Sequence, residues 1–145
     1  MKALGKRELS RAGVNAMMDK VNIAKLVLLL AHAFAGWMLC AAIVGIGLQV
    51  TTVENTLIAH AIGVPIVFAV IAFMYFKGFN YTTPLQTALV FLAFAILMDF
   101  FVIALLVQKS FAMFASVLGT WIPFALIFAS TFVTGLFTRR VNAHS

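Results

Sequence analysis

The sequence predicts an all-α integral membrane protein, with four transmembrane helices in an up-down-up-down bundle and both termini cytoplasmic. Three observations lead there: an apolar composition, four apolar stretches long enough to cross a bilayer, and a lopsided placement of Lys and Arg around them. Of the 145 residues 64% are hydrophobic, only 10% are charged, and the mean hydropathy is +1.11. A soluble domain carries about 25% charged residues to wet its surface, so the solvent for most of this chain is lipid. Barrel strands are excluded, because the apolar runs lack the period-two alternation of a barrel wall.

Residues 1–22 form a basic cytoplasmic segment in which Lys2, Lys6, Arg7, Arg11 and Lys20 mix with Leu9, Val14, Met17, Met18 and Val21. The last four follow helical spacing. The segment is therefore either a short interfacial helix on an anionic inner leaflet or a basic tail that only fixes topology.

The transmembrane domain covers residues 23–138, with spans at about 26–48, 57–76, 85–107 and 111–137, followed by a cytoplasmic tail at 139–145. The first span is too long for a signal-peptide core and should stay in the membrane. It is rich in small residues, Ala31 with Ala35, Gly36 with Cys40, and Ala41 with Gly45. Small residues four apart let backbones approach closely, so this helix should pack most tightly, inside the bundle or against another subunit. Pro65 in the second span and Pro123 in the fourth each remove a backbone donor and predict kinks.

Short connections at 49–56, 77–84 and 108–110 make successive helices antiparallel neighbours. With the N-terminus inside, the cytoplasmic face also collects Lys25, Lys77, Arg139 and Arg140, while the other face holds Lys109 alone. That bias sets the orientation in the cell (inner) membrane, and it explains the net charge of +6 without any nucleic-acid partner. Tyr75 and Tyr81 fall near the cytoplasmic boundary, where interface anchors belong.

Asp99 is the exceptional residue, an ionisable group inside the third span. A central Asp costs roughly 2.5 to 3.5 kcal/mol to insert, so such residues face a protein interior or a wet cavity and are functional candidates. At a rise of about 1.5 Å per residue, Asp99 lies roughly 5 Å to the external side of its span's centre, level with Cys40, Thr120 and Trp121. His60 sits about 5 Å further out, whereas His32 lies about 12 Å away on the cytoplasmic side. The candidate proton or substrate constellation is therefore Asp99, His60, Thr120, Trp121 and Cys40, with Trp121 as core packing or the wall of an apolar pocket.

A carboxyl in this position is either kept as a neutral acid or ionised beside a protonated His60. Either state could couple a proton to a cargo. Equally, it could hydrogen-bond Thr120 or a carbonyl freed by Pro123 and fasten two helices together.

Other chemistry lacks its groups. One cysteine rules out a disulfide framework or a Cys-cluster metal site, and the unequal depths of His32 and His60 disfavour a bis-histidine haem. There is no HExxH, GxSxG or Walker motif, so no catalytic set, metal site or cofactor is expected, although an enzyme is not strictly excluded. The leading expectation is a proton- or cation-coupled transporter or permeation protein. It would act as a homo-oligomer, since four short helices enclose little volume. Two alternatives stand beside it: an accessory or assembly subunit docked on a partner membrane subunit, and a quinone- or lipid-binding membrane protein.

Overall fold

The computed structural model describes residues 2–143, and among these every regular element is helical. The basic N-terminal segment has a helical backbone, but most of its side chains up to Val21, and those from Asn142 onward, lie outside the described residues. The amphipathic face expected there and the end of the tail therefore stand outside this description.

Four α-helices make the frame: α1 (Lys2–Val50), α2 (Val53–Gly78), α3 (Pro84–Met98) and α4 (Ile122–Ala143). Four helical stretches are long and apolar enough to cross a membrane, Asn22–Val50, Val53–Gly78, Pro84–Val107 and Val117–Val141. The breaks between them follow from local chemistry. Thr52, extended, caps α2 by accepting from the Asn55 N–H. Thr83 and Gln86 form a reciprocal capping box at the start of α3, with Pro84 where its missing N–H costs nothing.

Two segments depart from α geometry. Asp99–Val107 continues α3 as a π-helix, closed by the Gln108 N–H donating to the Ile103 carbonyl at 2.8 Å. A 3₁₀ turn then covers Ala112–Ala115, and Ser116, extended, accepts from the Gly119 N–H at 2.9 Å to start a π-helical turn at Val117–Trp121. The fourth long helix thus begins at Val117 rather than Phe111, because the Ser116 cap interrupts an apolar run that hydropathy reads as continuous.

Pro65 is accommodated inside α2, but Pro123 is the second residue of α4. Pro123 therefore follows closely on the π-helical turn Val117–Trp121, inside the continuous stretch Val117–Val141.

The core is a seam of residues at helical spacing: Leu29, Ala33, Trp37 and Cys40 from α1, Val64, Phe68, Ile71 and Tyr75 from α2, Ala88, Phe91 and Ala95 from α3, and Phe124, Ile127, Thr131 and Thr138 from α4. The outer faces carry the large aliphatic and aromatic side chains, such as Ile62, Ile66, Leu89, Leu97 and Leu136. Large aromatic side chains thus occur on both faces, and the small residues Ala33, Ala88 and Ala95 stand among the inward ones.

Glycine supplies the closest contacts. A Cβ on Gly36 would stand 3.0 Å from Phe68, and one on Gly135 would stand 2.6 Å from Phe76 and 2.9 Å from Pro84. Gly36 therefore does the packing expected of it. Ala31 and Ala35 are exposed on the outer side of α1, and Gly45 has nothing within 4 Å of its would-be Cβ. Close approach at that end of α1 is made by Gly47 against Thr56 instead.

One end of the bundle is bound by polar contacts. Arg139 Nε donates to Asn80 Oδ1 at 2.8 Å, and Lys25 Nζ stands 5.1 Å over the Tyr81 ring. Tyr75 is fully buried rather than an interface anchor, because its hydroxyl joins a chain with Thr82 at 2.9 Å and Thr87 at 2.7 Å. Thr87 donates to the Thr83 carbonyl at 3.0 Å. Each hydroxyl has one proton, so Thr82 donates to Thr87 and Tyr75 donates to Thr82.

Candidate functional site

A cavity of about 520 Å³ lies among the four helices. Its rim is formed by Leu48, Val53, Val107 and Gln108, exposed residues at the end opposite the Tyr75–Thr82–Thr87 chain. Its floor is formed by Phe68, Ala95 and Ile127, and no residue of that polar chain reaches it.

Asp99, His60, Thr120 and Cys40 all stand on this wall, so four of the five residues grouped by depth share one space. They are brought together without bonding one another. Asp99 accepts from Trp37 Nε1, which donates to Oδ1 at 2.8 Å across the α1–α3 contact. Asp99 lines the cavity, and its Oδ2 has no hydrogen-bond partner among the described residues. The wall holds no Lys or Arg among the described residues. A carboxyl here becomes neutral by taking a proton or by receiving a cation into the cavity.

His60 turns a buried and unpartnered Nδ1 into the protein, whereas Nε2 is neither bonded nor fully buried. Thr120 donates to the Met113 carbonyl at 2.7 Å, which leaves only its lone pairs for anything in the cavity. Cys40 is a buried free thiol on the same face of α1 as Trp37, one turn away.

Trp121 is the exception. It is 55% exposed on the outer surface, and its Nε1 donates to the Phe114 carbonyl at 2.9 Å. Thr120 is buried on the cavity wall, whereas the next residue, Trp121, turns outward and does not line it. It lies four residues from the start of its apolar stretch, much nearer the helix end than a span beginning at Phe111 implies.

His32 stays apart from this group. Its Nδ1 pairs with the Leu28 carbonyl at 2.8 Å, and its ring packs edge-on against Tyr75 and Phe79 at 5.5 Å.

Trp37 is the residue that sequence reasoning missed. An indole N–H inside an apolar span needs an acceptor, and the Asp99 carboxylate supplies one within the third span. Trp37 lies three residues before Cys40, the residue of the first span that depth had matched to Asp99. Set beside known protein families, curated proteins and solved structures, the chain matches none of them.

Proposed function

We propose that the chain is a small multi-pass protein of the cell (inner) membrane, a proton- or cation-coupled transporter or permeation protein with Asp99 as its coupling site, acting as a homo-oligomer. The observation that carries this reading is the Asp99 carboxyl, which lines a cavity of about 520 Å³, accepts from Trp37 through one oxygen and has no partner on the other among the described residues. Fastening alone needs no space beside the carboxyl, and intramembrane carboxylates beside cavities commonly mark ion and proton paths.

In this reading the bundle is up-down-up-down with both termini cytoplasmic. Support comes from the contacts that gather Lys25, Lys77 and Arg139 at the end carrying Tyr81, away from Glu54 and Lys109. The cavity then opens outward, His60 stands between its rim and Asp99 as a relay, and Trp121 sits where amphipathic aromatics anchor to the interface. The exposed Ala31 and Ala35 offer a second chain a close approach along α1.

The test is proton movement in proteoliposomes under an imposed pH gradient, followed with an entrapped pH dye. Asp99→Asn should abolish it while leaving the oligomer intact on size-exclusion chromatography. Flux unchanged by that substitution sinks the proposal. The same outer face of α1 also favours a second reading, an assembly subunit of a larger complex. That reading requires another chain to co-purify and Asp99→Asn to release it.

A further inference from the structure

The proposed transport leaves open what shares the cavity with the proton, and the wall constrains the answer. Its polar side chains are one carboxylate, one imidazole, one thiol, one amide and two hydroxyls, from Asp99, His60, Cys40, Gln108, Ser116 and Thr120. The two hydroxyls are already engaged, Ser116 with the Gly119 N–H and Thr120 with the Met113 carbonyl. Among the described residues no three His, Cys, Asp or Glu side chains come together as a metal site. A calcium or magnesium ion takes six or more oxygens, far more than this wall brings to Asp99.

The remaining wall is apolar and aromatic. Phe68 and Phe124 line it, and the Trp37 indole stands directly beside the carboxylate. An apolar surface with one charge of a single sign is complementary to a ligand with an apolar body and one opposite charge. Aromatic rings, Trp above all, add attraction for a cation whose water has been removed. The volume of about 520 Å³ lies within the range of pockets that enclose drug-sized molecules, roughly 300 to 1,000 Å³.

We propose that this cavity binds a lipophilic organic monocation, which displaces the proton from Asp99. The inference rests on the transport reading above and names its cargo class. The exchange balances: Asp99 as a neutral acid plus the cation gives the carboxylate–cation pair and one free proton. Proton and cargo therefore exclude each other at one oxygen pair, and each leaves the site with the same net charge.

The experiment uses purified full-length protein and two probes of similar shape, methyltriphenylphosphonium and the neutral triphenylphosphine oxide, measured by equilibrium dialysis. The cation should bind at least tenfold tighter than the oxide. It should release about one proton in weak buffer and gain about tenfold in affinity per pH unit while Asp99 is protonated. Asp99→Asn should weaken the cation at least tenfold and leave the oxide unchanged. Asn can still accept from Trp37, and folding is checked by thermal unfolding.

A second readout needs no variant. The cation should slow alkylation of Cys40 by N-ethylmaleimide at least fivefold, followed by intact mass. Equal binding or equal protection by the two probes overturns the proposal in favour of a neutral ligand, and cation binding indifferent to Asp99→Asn overturns it outright. Asp99-dependent proton flux without phosphonium binding removes this cargo class and leaves transport standing. Phosphonium binding as expected without any flux does the reverse.

Discussion

The Trp37 indole N–H donates to Asp99 Oδ1 at 2.8 Å, tying α1 to the residue at which α3 passes into a π-helix. That bond separates the two jobs a buried carboxyl could have. One oxygen is used to join helices, and the other has no partner among the described residues, on a side chain that lines the cavity. Trp37→Phe removes the donor while keeping an aromatic ring in the core, so it should cost about 1–3 kcal/mol in unfolding free energy. Trp37→Ala should cost about 3–5 kcal/mol because it also opens a hole in the core. Thermal unfolding of the two variants in one detergent checks the order, and a Trp37→Phe variant as stable as the parent would mean that the bond contributes nothing.

The glycines divide into close-packed and free. Gly135→Ala drives a methyl against Phe76 and Pro84, and overpacking of this kind costs about 1–3 kcal/mol. Gly45→Ala meets nothing and should gain up to about 1 kcal/mol from helix propensity. Opposite shifts in melting temperature are expected.

Thr82→Val should destabilise the end of the bundle opposite the cavity. The substitution strands the buried Tyr75 hydroxyl and leaves Thr87 with no donor, at about 1–3 kcal/mol. Tyr75→Phe should cost less, since it removes the outermost donor of the chain and leaves Thr82 and Thr87 paired. Unfolding midpoints of both variants decide, and the reverse order would show that the proton assignment along the chain is wrong.

Orientation is open to direct labelling. In a Cys40→Ala background, Glu54→Cys and Lys109→Cys should react with a membrane-impermeant maleimide added to intact cells, and Lys77→Cys should react only after lysis. The opposite pattern reverses the bundle.

The four apolar helices were legible because length and hydropathy are one-dimensional quantities. The inward faces were much less so. In lipid an all-apolar helix has little contrast between its faces, and the signal passes to small and polar residues. Thr131 and Thr138, with Gly135 between them, mark the buried face of α4 at helical spacing and carry that signal in retrospect. Depth alone brought Asp99, His60, Thr120 and Cys40 to one cavity, but depth holds no azimuth, and so Trp121 was grouped with Thr120 although the two point apart. The start of the fourth helix was hidden for another reason. Ser116 ends an apolar run by a local hydrogen bond, which no hydropathy average registers.

The position of Asp99 along its helix has an electrical consequence. Its apolar stretch ends at Val107, eight residues away within Pro84–Val107, so a charge travelling from the cavity rim to Asp99 crosses about a third of the membrane's thickness. A unit charge crossing the whole potential changes energy by about 2.3 kcal/mol per 100 mV, so loading this site involves about 0.8 kcal/mol per 100 mV. Site occupancy then shifts between three- and four-fold, about, for each 100 mV. The side from which Asp99 fills should therefore be readable from the sign of its voltage dependence alone.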